Sequence, residues 1–120
     1  MNKAIVFLFL FTTYIIYSVI VYTNGTETGS RLNDLQAEGK KLFQEHNCIA
    51  CHQIYGLGGY LGADLTTVIT TSGKGEEYAR SFIRYGTNQM PDFNLNEKEI
   101  GYIIEYLRHV DKTATTYKEL

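Results

Sequence analysis

The sequence predicts an all-α protein: one N-terminal helix apolar enough to cross a membrane, followed by a small helical domain. Three observations predict it. Residues 4–22 read AIVFLFLFTTYIIYSVIVY without a charge. Apolar side chains recur at helical spacing in three later stretches, around Leu42, Ile83 and Ile103. Cap residues and glycines punctuate those stretches, and no βαβ pattern is visible.

The chain has 120 residues, which suits one small domain. With a membrane segment set aside, the remainder can build only a thin core, and a bound apolar body would add to it. Net charge is −2 and no Lys/Arg run or basic patch occurs, so nucleic-acid binding is excluded as a function class.

At about 1.5 Å per residue, residues 4–22 can span a ~30 Å hydrocarbon core. A cleavable signal peptide would have a shorter apolar core and a small-residue cleavage site; Thr23-Asn24-Gly25-Thr26 offers none. An uncleaved signal anchor over residues 1–23 is therefore expected. Thr13, Tyr14, Tyr17 and Ser18 share one face of it. Two readings of that stripe stay open. It faces another transmembrane subunit, or its hydroxyls bond back to their own helix while Tyr17 and Tyr22 sit near the interface. Residues 24–32 are polar, contain Gly25 and Gly29, and read as a linker.

Asn33 can cap the next helix, with Gln36 in capping-box register. Leu35, Gly39, Leu42 and Phe43 form its apolar stripe. Gly39 costs up to ~1 kcal/mol against Ala in a helix, and close helix–helix approach is the usual reason to keep it.

Cys48-Ile49-Ala50-Cys51-His52 follows, a C-x-x-C-H run. This is the attachment signature for c-type haem. Two thiols three residues apart can each add to a vinyl group on one edge of the porphyrin, and His52 can then give a nitrogen to the iron. A redox dithiol or half of a zinc site are the competing readings. The first usually lies beside a βαβ pattern; the second wants more cysteines, and Cys48 and Cys51 are the only two. One covalently attached haem c is the expected cofactor. Because haem c is attached outside the cytoplasm, the N-terminus is expected inside and the motif on the periplasmic side; Lys3 alone is thin charge evidence for this. His46, just before the motif, is expected to be solvated.

Gln53 to Gly62 holds four glycines, so irregular backbone is expected, wrapped closely over a flat ligand. Asp64 is expected to cap a short helix through Ile69. Ser72-Gly73-Lys74-Gly75 is a turn. Glu76 and Glu77 suit the first turn of a helix whose apolar face is Tyr78, Ala79, Phe82 and Ile83 and which ends at Gly86. Arg80 and Arg84 lie one turn apart and could meet a haem propionate, a partner or solvent. Met90-Pro91 then sits in a loop. A thioether is a soft, neutral ligand that favours Fe(II), so Met90 is expected as the second axial ligand, with Pro91 stiffening the loop. Asn96 and Glu99 form a capping box for the last helix, whose core stripe is Ile100, Ile103, Ile104 and Leu107. Tyr106 is placed to pack across Gly39. The polar tail from Asp111 is expected to be mobile.

Residues 33–110 resemble a class I cytochrome c domain, with Gly39 and Phe43 before C-x-x-C-H, Met90-Pro91 after it, and Glu105-Tyr106-Leu107 in the last helix. More narrowly, the chain resembles the small cytochrome c subunit of bacterial nitric oxide reductase. The match rests on a single N-terminal anchor, Tyr55-Gly56-Leu57-Gly58-Gly59-Tyr60, Asp64-Leu65-Thr66, and Met90-Pro91-Asp92-Phe93-Asn94-Leu95. Ala63 is a departure, since this subunit type places Pro there to fix the carbonyl that accepts the His ring N–H.

The resemblance implies a class I cytochrome c fold over residues 33–111, with residues 112–120 as a tail. Tyr60, Leu65, Phe82 and Phe93 are candidates for the haem pocket. It implies no catalytic residue in this chain, which would take electrons from a soluble periplasmic donor and pass them to a large polytopic haem-containing subunit in the bacterial inner membrane. That subunit would reduce nitric oxide to nitrous oxide. The alternatives are a free-standing tethered shuttle for another oxidase or reductase, and a haem-based sensor.

Overall fold

A computed structural model describes residues 2–25 and 31–118. They fall into two compact units, 1–31 and 32–120. The first is α1 (Lys3–Gly25), a helix long and apolar enough to cross a membrane. The hydroxyls of Thr12 and Thr13 donate to the carbonyls of Leu8 and Phe9, each at 2.8 Å. Of the polar stripe, Thr13 thus returns to its own helix, as one of the two readings left open for that face has it. Most of the expected linker, residues 26–30, lies outside the described residues.

The second unit is built from α2 (Asp34–Glu45), α3 (Glu76–Tyr85) and α4 (Glu97–Lys118). The start of α2 is fixed by a capping box: Gln36 N donates to Asn33 Oδ1 at 2.9 Å, and Asn33 N donates to Gln36 Oε1 at 3.0 Å. Asn96 does the same for α4, accepting from the amides of Lys98 and Glu99 while its own amide donates to Glu99. Both caps match the sequence expectation.

Leu42 and Phe43 of α2, Ala79 and Ile83 of α3, and Ile100, Ile103, Ile104, Leu107 and Val110 of α4 bury together. Ile54 and Val68 close the core from the connecting segments. Gly39 lets α2 and α4 approach closely, since a Cβ there would lie 1.9 Å from the carbonyl oxygen of Tyr102. Tyr106 packs over the same crossing with its ring 5.6 Å from that of Phe43.

Three features depart from the sequence expectation. The glycine-rich stretch contains a two-residue hairpin, β1 (Gln53–Ile54) paired antiparallel with β2 (Leu57–Gly58). Tyr55 and Gly56 take positive φ at its tip (55° and 76°), as a primed turn requires.

Asp64 bridges to Gln53, and residues 66–70 are turns rather than a helix. Asp64 Oδ1 accepts from Thr66 N at 2.7 Å, an Asx turn. The amides of Ile69 and Thr70 donate to Asp111, not to carbonyls one helical turn back.

Residues 111–118 of the expected mobile tail are instead the end of α4, and 119–120 lie outside the described residues. Asp111 is only 2% exposed, and Thr113 bonds the carbonyls of His109 and Val110. At Asp111 the polar character that reads as a solvated tail is spent on long-range hydrogen bonds.

Candidate haem site

The motif begins where α2 ends. Asn47 adopts a left-handed conformation (φ 52°), which ends α2 and starts a single 3-10 turn over Cys48–Ala50. His52 N donates to Cys48 O at 3.0 Å, so both cysteines and the histidine follow one tight curve. Cys48 and Cys51 are half-buried. Burial pushes the Cys48 thiol up to about 11, with the neighbouring Cys51 adding to the effect and backbone hydrogen bonding opposing it. Such a thiol is a poor thiolate at neutral pH. No cluster of three or more His, Cys, Asp or Glu side chains is placed to hold a metal ion among the described residues, so the zinc reading finds no further ligands there.

The imidazole is aimed. His52 Nδ1 lies 2.7 Å from the carbonyl oxygen of Ala63. A carbonyl only accepts, so the proton sits on Nδ1 and Nε2 keeps its lone pair. The carbonyl that Pro would help fix is here supplied by Ala63.

Glycines hold the following loop against the motif. A Cβ at Gly59 would lie 1.8 Å from Ala50 O, and one at Gly62 would lie 2.5 Å from Cε1 of the His52 ring. Gly59 N donates to Ile49 O at 2.9 Å and Gly62 N to Cys51 O at 2.7 Å. The sequence expectation for these glycines is close approach to a flat ligand. The approach in the structure is to the motif's own backbone and imidazole.

The Met90 loop is closed on itself. Thr87 N donates to Met90 O at 2.7 Å, and Met90 N donates to Thr87 Oγ1 at 3.0 Å, closing a compact turn. Met90, Leu65 and Cys48 are half-buried and pack on the same core. The ring of Phe93 lies 5.2 Å from that of His46, which joins this loop to the end of α2 just before the cysteines. His46 is therefore half-buried against an aromatic ring rather than solvated.

Of the candidate pocket residues, Leu65 and Phe93 are drawn in. Phe82, 37% exposed, lies against Tyr78 with the rings tilted and 4.5 Å apart, and Tyr60 stands on the surface at 84% exposure. Arg80 bonds Glu76 through Nε and Nη2 (3.0 and 2.8 Å), and Arg84 pairs with Glu97. Sequence reasoning missed Tyr55, Thr66 and Asp111. Their bonds to distant backbone leave no periodic signal, although an acid followed by polar residues after an apolar stripe marks the place.

The donor set fits haem: two thiols on one turn, an imidazole with a free Nε2, and a thioether on the same core. The class of protein this defines is a cytochrome c. A family model described as "Cytochrome C oxidase, cbb3-type, subunit III" matches residues 34–107, and the chain belongs to that family of haem-binding domains.

Within it, the similarity is to proteins named as a subunit of nitric oxide reductase. The one from Stutzerimonas stutzeri is 30% identical, over 72% of this chain and 65% of its own length. Those from Halomonas halodenitrificans and Cereibacter sphaeroides are each 27% identical, over 88% and 90% of this chain and 78% and 82% of their own lengths. The chain thus spans just under two thirds of the first of these and more of the other two. The fold class and the resemblance read from the sequence are both borne out. By fold, apolar helix and likeness, the chain is a membrane-anchored cytochrome c.

Proposed function

We propose that this chain is the electron-transfer subunit of a nitric oxide reductase and is not itself catalytic. It accepts electrons from a soluble periplasmic donor and passes them to a large polytopic, haem-containing catalytic subunit. The observation that carries the reading is the aimed imidazole of His52 within the C-x-x-C-H turn. Family membership supports the haem, and the names of the relatives support the assembly.

Cys48 and Cys51 would hold one haem c through two thioether bonds, and His52 Nε2 and Met90 Sδ would be its axial ligands. The bound group supplies a one-electron Fe(III)/Fe(II) couple. The chain's own residues do the rest. Ala63 keeps the His52 proton on Nδ1 and so keeps Nε2 basic. With Met90 as a second ligand no position on the iron would be left for substrate, which suits electron transfer over substrate binding. Leu65 and Phe93 would help exclude water. Reducing two nitric oxide molecules to nitrous oxide consumes two electrons and two protons, so a one-electron carrier delivers twice per turnover. Helix α1 would anchor the chain in the bacterial inner membrane, N-terminus cytoplasmic and haem domain periplasmic.

A second reading is a tethered shuttle for another oxidase or reductase. One observation favours it: Thr13, on the polar face of α1, satisfies its hydroxyl within the helix and asks for no partner there. Isolation of the tagged chain from membranes in mild detergent separates the two. A stoichiometric polytopic haem protein that consumes nitric oxide is expected. A monomer carrying haem c alone would favour the shuttle.

A further inference from the structure

Among the described residues, Asp111 is the acidic side chain buried in the core, at 2% exposure, and it lies beyond the apolar stripe of α4. Its carboxyl group accepts three hydrogen bonds from a single distant segment. Ile69 N and Thr70 N donate to Oδ2 at 3.0 and 2.9 Å, and Thr70 Oγ1 donates to Oδ1 at 2.8 Å. A buried carboxyl is costly unless its acceptors are used, and here both oxygens are.

The segment so held is the one that orients His52. From Ile69 it runs back through buried Val68 and half-buried Leu65 to Asp64 and Ala63. Its near end is tied to the motif strand: Leu65 N donates to Gln53 O at 2.9 Å, and Tyr55 N donates to Thr66 Oγ1 at 2.7 Å. Tyr55 also reaches α4, with its hydroxyl on Thr113 Oγ1 and 3.3 Å from Val110 O. Two independent ties therefore run from one stretch of α4, residues 110–113, to the two chain segments that meet at the His52–Ala63 hydrogen bond. With Ala at position 63, no proline ring restricts that backbone: Gly62 N on Cys51 O and Leu65 N on Gln53 O hold it from either side, and the α4 ties hold the segment that continues from it.

We infer that Asp111 is a positioning residue for the axial histidine, acting through residues 63–70 on the carbonyl that accepts from His52 Nδ1. The last part of α4 is then a brace for the redox centre. This rests on the haem reading above.

The test compares full-length holoprotein in detergent with Asp111→Ala, Asp111→Asn and Thr70→Val. Readouts are the hyperfine-shifted haem-methyl NMR pattern, which follows the plane of the axial imidazole, and the reduction potential. Ile104→Val, a buried change in α4 remote in kind from these hydrogen bonds, calibrates plain destabilisation. The expected result is a changed methyl pattern and a raised potential in both Asp111 variants. A weaker Nδ1–H···O bond makes His52 a poorer donor and disfavours Fe(III).

Thr70→Val removes one bond of the three and is expected to shift both readouts the same way by less; it stands in should the Asp111 variants fail to mature. Ile104→Val is expected to lower the melting temperature and leave both readouts in place. Loss of melting temperature with an unmoved pattern and potential in the Asp111 or Thr70 variants would overturn the brace while leaving the haem reading intact. Wild-type protein without covalent haem would overturn both.

Discussion

The imidazole of His52 and the carbonyl of Ala63 are joined by a 2.7 Å hydrogen bond, and Gly62, the residue before Ala63, leaves no room for a side chain beside the ring. A Cβ at Gly62 would come within 2.6 Å of Nδ1 itself. Gly62→Ala is therefore expected to displace the ring, costing about 1–3 kcal/mol of stability as overpacking does. The checks are thermal unfolding and the ferric absorption spectrum, which is expected to lose its low-spin form in part of the population.

Met90 is the only methionine besides the initiator, and its loop is closed by Thr87. Met90→Ala is expected to change the ferric spectrum and to lower the reduction potential by on the order of 0.1 V, within the ~0.8 V range that axial ligation commands. Potentiometry in detergent measures this. An unchanged ferric spectrum would remove Met90 from the iron.

The α2–α4 crossing leaves no room for a side chain at Gly39. Gly39→Ala improves helix propensity by up to ~1 kcal/mol, yet the new Cβ would sit 1.9 Å from Tyr102 O. Separation of the helices should dominate, with a net loss of about 1–3 kcal/mol in urea unfolding. A stabilised variant would mean the helices do not pack this closely.

Glu76 is held below its ordinary value of 4.5, first by its hydrogen bond to Arg80 and then by Arg108 of α4. A carboxyl depressed on folding contributes stability that is present above its unfolded value. That stability is lost as pH falls through its folded value. Between about pH 5 and pH 3, wild-type stability should therefore fall more steeply than that of Glu76→Gln. The two should differ by a constant amount above about pH 6. Because Glu76 is about one-third exposed, the effect is small and screened by salt. Unfolding midpoints across that pH range check it.

Much of the architecture is legible in the sequence because local rules carry it. The capping boxes at Asn33 and Asn96 set two helix starts, and the spacing of Ile100, Ile103, Ile104 and Leu107 marks the core face of α4. The motif, Gly39 and the Met90 loop stand out as sequence features, and the His52–Ala63 carbonyl contact follows from a resemblance. Asp111 is not legible, because its partners are about forty residues away and polarity alone reads as solvent. The same holds for residues 64–71, where donors committed to Asp111 and an Asx turn at Asp64 replace the helix that Asp64 would cap. His46 escapes for a related reason: its ring is covered by Phe93, which no local pattern pairs with it.

The most direct test of electron transfer through this chain is rapid mixing of the fully reduced, detergent-solubilised assembly with nitric oxide while the haem c absorbance is followed. Oxidation of the haem c in step with nitric oxide consumption, abolished by Cys48→Ala/Cys51→Ala, is the predicted result. Nitric oxide consumed over many turnovers while the haem c stays reduced would contradict the account.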